Sequence, residues 1–436
     1  MKLGAFMLLC IPLFAQAQSL AEAVEQALIF HPQLQAGQQQ IQAQIAEVQQ
    51  QQAQLKPHVM LTGEWGRSRV DTRAPFPESG LRWPNQLSLV VNQSLYSAGA
   101  LDTAVDMAKL QLTVSETAQL QRQITIAMQT IIAYAAIGKD QSLINLYQQT
   151  VNTLSQAQQD TVKRFNAGEV TRTDIALADA RLAEAKAQLS QAQAQLVISE
   201  ARFQQLTGQV PQQISLQLPN IPLPANLEAA LVLAQQSPRL QSQMQQVQLK
   251  EKAIQLAESD DKARINLQAR ASSQDNTDFG YERMSTWGVF VQAQLPLYQG
   301  GRPQALIRSA QAEYLASQQQ LIDERATIQQ DMTSAWQHWQ AANAQVPAYQ
   351  AQVQAAQIAL LSTQKELQVG TRTTLDLLNA ERELLAAKIN LLLSEQERGL
   401  ASYQVLSVIG DLSVLTPDTR QLSTNKTQET QYAHTF

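Results

Sequence analysis

The chain has 436 residues, 32 Lys and Arg against 37 Asp and Glu, a formal net charge of −5, and few aromatics beside abundant Ala, Gln and Leu. A mildly acidic balance without a basic block argues against nucleic acid as a partner. Its histidines, His31, His58, His338 and His434, do not fall within metal-ligand spacing of one another, and no Ser-centred nucleophile motif is present, so neither an enzyme nor a bound metal or cofactor is expected.

In chain order, Lys2 precedes the apolar run Leu3 to Ala15, which closes on Ala15-Gln16-Ala17. This pattern predicts a secretory signal peptide over residues 1–17 and a mature start at Gln18. A membrane anchor is the competing reading, but the run of about 13 residues is shorter than the roughly 20 needed to span a bilayer. Cys10, the one cysteine, lies inside the signal behind Leu8 and Leu9, where acylation is not expected. The mature chain then holds together by burial alone. No later apolar run reaches 18 residues, so any membrane crossing must use β-strands.

Beyond the signal the chain is written twice, over 18–219 and 220–410. Glu22, Ala23, Pro32, Leu34 and Lys56 recur 206 residues later as Glu228, Ala229, Pro238, Leu240 and Lys262. Further along, Gly168, Asp174, Ala178, Leu182 and Lys186 recur at an offset of 202 as Gly370, Asp376, Ala380, Leu384 and Lys388. The four-residue difference falls between two strands in each half.

The first strand of each half alternates, with Val59, Leu61, Gly63 and Trp65 in one copy and Ile265, Leu267, Ala269 and Ala271 in the other. Its partner does the same through Leu87, Leu89 and Val91, then Trp287, Val289, Val291, Ala293 and Leu295. Period-two patterning predicts a hairpin over about 57–96 and another over about 263–298, each apolar on one face and polar on the other. The connections, Asp71 to Asn85 and Gln274 to Ser285, carry Phe76, Trp83, Phe279 and Tyr281. Such strands suit an outer-membrane barrel with a wet lumen, or else a water-soluble sandwich. Four strands cannot enclose an aqueous bore. A channel would need several chains to share one barrel.

The remainder reads as helix. Within residues 99–167, after the opening Gly99, Gly138 is the one breaker, and Gln304 to Val369 contain Pro347; helices of about 65 residues would rise about 100 Å. Two shorter helices carry heptads: Ile175, Leu182, Leu189, Leu196 and Phe203 with Ala178, Ala185, Ala192, Ser199 and Leu206, then Leu377, Leu384, Leu391, Arg398 and Val405 with Ala380, Ala387, Ser394, Ala401 and Val408. A sustained heptad with small residues at alternate seam positions predicts a closely packed coiled-coil partner. Arg398 interrupts the second seam. Residues 411–436 are polar and outside the repeat, and read as a poorly ordered tail. Phe436 ends the chain as in many outer-membrane barrels, although His434 breaks the alternation before it.

The motif Val369-Gly370-Thr371-Arg372-Thr373-Thr374-Leu375-Asp376-Leu377-Leu378-Asn379-Ala380 resembles the TolC family of outer-membrane efflux and secretion channels. The strand end Leu295-Pro296-Leu297-Tyr298-Gln299-Gly300-Gly301 and the copy Phe165-Asn166-Ala167-Gly168 carry the same resemblance, which covers nearly all of residues 18–410. It implies a mainly α homotrimer in which each duplicated protomer lends four strands to a shared twelve-stranded barrel. Long coiled-coil helices form a periplasmic α-barrel that tapers to a closed tip at the turns around Gly168 and Gly370.

The resemblance also implies partners: a periplasmic membrane-fusion adaptor, an inner-membrane RND or ABC transporter, and outer-membrane lipid. Asp376 matches a residue lining the periplasmic aperture, and Asn379 stands where the family often has a second acid. Arg372 matches a basic residue that ties the second coiled coil to its neighbour through the counterparts of Thr173 and Asp174; Leu367 occupies the place of a tyrosine that assists this tie in some members. From residue type alone, Thr173 and Thr373 are candidate caps, and Asp174 and Asp376 read equally as first-turn acids complementing a helix dipole. A periplasmic coiled-coil adaptor or structural protein without a membrane barrel is the alternative.

Overall fold

The computed structural model describes residues 18–71, 79–212, 214–215, 218–276 and 283–411. The signal segment, Phe76, Phe279, Tyr281 and the tail from residue 412 to Phe436 lie outside the described residues. Helices α1 (Leu20–Phe30) and α2 (Pro32–Ala53) lead into strands β1 (His58–Trp65), β2 (Ser68–Asp71), β3 (Ser79–Arg82) and β4 (Asn85–Tyr96), followed by α3 (Ala100–Asn166) and α4 (Arg172–Thr207). The second half runs α5 (Leu227–Ala234), α6 (Pro238–Glu258), β5 (Arg264–Asp275), β6 (Arg283–Gln294), α7 (Arg302–Gln368) and α8 (Thr374–Ile409).

The duplication extends to backbone detail. Helices α3 and α7 each have 67 residues, and α4 and α8 each have 36. The left-handed glycines Gly168 and Gly208 recur as Gly370 and Gly410, and at the entry to the long helices Ala98 adopts φ 53° where Gly300 adopts 62°. Alanine in that region costs about 1–2 kcal/mol relative to its preferred conformations. Pro347 sits inside α7 without ending it, although its ring removes one helical hydrogen bond.

Two compact units are present, and each draws on both halves of the chain. One comprises Met1–Ala36, Gln119–Arg239 and Arg325–Phe436. Within it α1 starts on a capping box, the Ser19 hydroxyl accepting from Glu22 N–H while the Glu22 carboxylate accepts from Ser19 N–H. Leu20, Ala23, Val24 and Ala27 are buried, as are Ile126, Ile131 and Ile137 of α3 and Phe203 and Leu206 of α4. Tyr134 joins three segments, its hydroxyl donating to the Gln18 carbonyl at 2.9 Å and accepting from Ser215 N–H at 3.0 Å.

Along the coiled coils the small seam residues Ala178, Ala185, Ala192 and Ser199 of α4 and Ala387, Ser394 and Ala401 of α8 are buried, together with the larger Phe203, Leu206, Leu384 and Val405. Val151 and Leu154 of α3 pack with Ala185, Leu182 and Leu189, while Ala356 and Leu360 of α7 pack with Leu384, Ala387 and Leu377. The seam has Arg398 in place of a leucine. Arg398 lines a cavity of about 820 Å³ with Lys139, Glu395, Trp339 and Asn220, and Leu218 lies against the neighbouring Gly399.

The other unit, Gly37–Ala118 with Leu240–Glu324, contains a four-stranded antiparallel sheet in the order β1-β4-β5-β6. The register puts Val59, Leu61 and Gly63 opposite Val91, Leu89 and Leu87; Val91 and Leu89 in turn oppose Ala269 and Ala271, which oppose Val289 and Trp287. One face is therefore apolar across all four strands, and its side chains are exposed in the single chain: Leu61 is 65% accessible and Trp287 86%. The other face carries Thr62, Glu64, Gln86, Ser88, Asn92, Asn266, Gln268, Arg270, Ser272 and Gln292. β1 and β6 each have one strand neighbour and leave two edges open. Asp260, within 3.6 Å of Arg264 and 3.7 Å of Arg302, anchors the start of β5 beside the start of α7.

Both connections differ from the sequence expectation. In the first, Ser68–Asp71 and Ser79–Arg82 form their own two-stranded ladder; Pro84 lacks the N–H needed to continue the main one, and pairing resumes beyond it. In the second, the residues read as turn remain in register as far as Asp275 opposite Arg283. Their polarity belongs to ladder ends rather than to a loop.

Candidate functional site

The two helix turns of the coiled coils are built alike. At the end of α3, Glu169 N–H donates to the Arg164 carbonyl at 2.9 Å, and at the end of α7, Thr371 N–H donates to the Glu366 carbonyl at 2.9 Å. Each closes a helix end through a left-handed glycine, Gly168 at φ 77° and Gly370 at φ 79°. The helices that follow are capped by Thr171 and Thr373.

Thr171, not the expected Thr173, is the first cap; Thr173 lies inside α4. The offset of 202 pairs Thr171 with Thr373, so the repeat held the signal. The Asp174 carboxylate accepts from Thr171 N–H at 2.8 Å and from its hydroxyl at 2.7 Å. The Asp376 carboxylate accepts the same two bonds from Thr373 at 2.9 and 2.8 Å, and Asp376 N–H returns one to the Thr373 hydroxyl at 3.2 Å. Hydrogen bonds to the ionised form hold both carboxyls below their ordinary range. For Asp174 the Thr171 hydroxyl leads, followed by its N–H; for Asp376 the Thr373 N–H leads, followed by its hydroxyl. Arg164 and Arg372 add to the effect at their respective acids.

Each turn also carries an ion pair, with opposite polarity in the two copies. In the first, Arg164 on the helix meets Glu169 on the turn at 3.0 Å; in the second, Glu366 on the helix meets Arg372 on the turn at 2.8 Å. Within one chain, then, Arg372 is engaged by Glu366 and Asp174 by Thr171, and the structure does not bring Arg372 together with Thr173 or Asp174. Asn379 is exposed one turn beyond Asp376. Glu381 is half-buried against Gln364, and burial raises its pKa. Exposed apolar side chains flank the second turn, with Val369 75% accessible.

Among the described residues, no group of three His, Cys, Asp or Glu side chains is placed to hold a metal ion, and no helix is long and apolar enough to cross a membrane. The arrangement offers exposed charge on capped turns.

Residues 23–209 and 232–411 match the family model for the outer membrane efflux protein. The outer membrane efflux protein BepC of Brucella suis is 27% identical over 81% of this chain and 77% of its own. The outer membrane protein TolC of Vibrio cholerae is 26% identical over 91% and 92% of the two chains. Among solved structures, CusC superposes with a TM-score of 0.81 at 19% identity, over 91% of this chain and 93% of that one.

The capping geometry fixes a pH dependence. A carboxyl whose folded pKa is depressed contributes stability that is complete above its unfolded value, about 3.9, and lost as pH falls through the lower folded value. Asp376→Ala should therefore melt slightly below wild type at neutral pH, and the two melting temperatures should converge in acid. A gap that persists below the folded pKa would contradict charge-based capping.

Proposed function

The chain belongs to the outer membrane efflux protein family, and from that membership and the two faces of its sheet we infer that it is the outer-membrane exit duct of a tripartite efflux or type I secretion system. Members of the family are channels rather than enzymes. The observation that carries this reading is the sheet, apolar on one side, polar on the other and open at both edges. β1 and β6 run in opposite directions, so β6 of one chain can pair antiparallel with β1 of the next. Three chains joined in this way supply twelve strands with no edge left, lipid on the apolar face and water inside. Strands β4, β5 and β6 have 12 residues each, enough for a tilted crossing that needs about 9–11.

A coiled-coil adaptor without a barrel would have no use for a continuous apolar face spread over four strands. The energy source is an inner-membrane RND or ABC transporter, reached through a periplasmic membrane-fusion adaptor. Residues 1–17 are removed on export, and the mature protein spans the repeats 18–219 and 220–410 with the tail 411–436.

Three-fold symmetry turns Asp376 into an acidic ring at the periplasmic aperture, with uncharged Asn379 one turn inward. Arg372 has two partners in this scheme: Glu366 of its own chain, and Thr173 with Asp174 on a neighbouring copy. Exchange between them would open and close the mouth.

Leu89→Arg, on the apolar face, should cost roughly 2–4 kcal/mol if the position lies near the bilayer midplane and should reduce membrane-assembled trimer, whereas Gln292→Arg, on the polar face, should be tolerated. Equal failure of both would reverse or abolish the assignment of faces. At the aperture, Arg372→Ser should raise single-channel conductance without loss of trimer. An exposed tie is worth about 0–1 kcal/mol, yet three copies acting on one closed state shift an opening equilibrium about tenfold. Unchanged conductance would retire the tie and leave the duct standing.

A further inference from the structure

The polar face of the sheet is not uniformly polar. Near the middle of the ladder the register aligns Met60, Val90, Arg270 and Gly288 in one row. Arg270 is the one charged residue of that row. The next row toward the turns is Thr62, Ser88, Ser272 and Thr286, with the Ser272 and Thr286 hydroxyls 2.8 Å apart. The row toward the helices is His58, Asn92, Gln268 and Phe290.

Arg270 is exposed, and its guanidinium donates to the Gln268 side-chain carbonyl at 2.8 Å, which in turn leaves the Gln268 amide to donate to Asn92 at 2.9 Å. This bond orients the cation without neutralising it. The carboxylate on this face of the strands is Glu64, two rows nearer the turns, while Arg264 is paired with Asp260 at the opposite end. On its β6 side Arg270 faces Gly288, which has no side chain, and the Phe290 ring lies so close over Gly288 that a Cβ there would come within 2.8 Å of it.

We infer that Arg270, repeated by the three-fold symmetry, forms a cationic ring across the barrel lumen that favours anionic solutes in this section of the duct. The inference rests on the channel reading above and goes beyond it, since that reading places a charged ring at the aperture alone. A twelve-stranded barrel with about 4.8 Å between strands tilted by about 40° has a backbone radius of about 12 Å. Inward-reaching arginines narrow this to less than a Debye length, about 10 Å at 0.1 M salt. At about 6 Å from the axis, three such charges in water enrich a monovalent anion roughly fivefold to tenfold, and a polyvalent one further. Rings of basic side chains are a known physical route to anion preference; here the ring is set in an apolar row, and among the described residues the adjacent rows hold no acid to offset it.

The test uses purified trimer in planar bilayers, with a sulfated cyclodextrin added from the barrel side and uncharged cyclodextrin as the control. The sulfated probe should block wild type, Arg270→Lys should keep the block, and Arg270→Gln should weaken it by about tenfold or more. Block of the wild type should also fade between 0.1 and 1 M KCl as the Debye length shrinks from about 10 to about 3 Å. Undiminished block in Arg270→Gln, block insensitive to salt, or equal block by the uncharged probe would overturn the ring and leave the channel intact. Absence of any conductance from wild-type trimer would overturn the channel reading and the ring together.

Discussion

In the hydrocarbon of a bilayer no water satisfies a backbone N–H or C=O, and each one left unpaired costs several kcal/mol. A sheet of four strands with two open edges cannot meet that condition alone. Its edge strands run antiparallel to each other, so the same surface that is a liability in one chain becomes a junction between two. Closure, oligomeric state and the separation of lipid from lumen all follow from pairing those edges. The apolar side chains fit this demand, because Leu61, Leu89, Val289 and Trp287 lie on one face through a register continuous from β1 to β6.

Duplication provides those strands economically. Each half contributes one hairpin, one long helix and one shorter coiled-coil helix, and the boundaries of α3 and α4 repeat residue for residue in α7 and α8 at an offset of 202. The copies diverge where their roles separate. The turn after α3 places its base on the helix and its acid on the loop, and the turn after α7 reverses them. Only the second copy thus presents a loop arginine, Arg372, beside an acid held ionised by its own cap. In the proposed assembly this asymmetry lets alternate turns around the mouth differ in charge while sharing one backbone shape.

Much of this is legible in the sequence. Period-two alternation identified both hairpins and their faces, and the heptads identified the small residues that are buried, because both signals average over many positions. What escaped depended on single residues. Thr173 stands two residues past the observed cap, Thr171, because a cap is defined by where the helix begins, and that boundary shifts by a residue or two on pattern alone. The β2–β3 ribbon was hidden because its four-residue strands are too short to show alternation. The pairing of Arg372 with Glu366 required knowing that the turn folds the loop back over the last helical turn. Arg398 breaks the heptad, and the cavity it lines with Lys139 and Trp339 joins residues distant in the chain that no heptad count reveals.

The central claim is that β1 and β6 pair between chains. It is tested most directly by disulfide formation between two differently marked copies, one bearing Thr62→Cys and the other carrying cysteine in turn at Thr286, Gly288, Phe290 and Gln292, co-expressed and oxidised in the membrane. The account expects a crosslinked pair of unlike chains at one register and its neighbours, and covalent trimer when both changes are placed in the same chain. Oxidation that yields no inter-chain product at any register, or only loops within one chain, would contradict it.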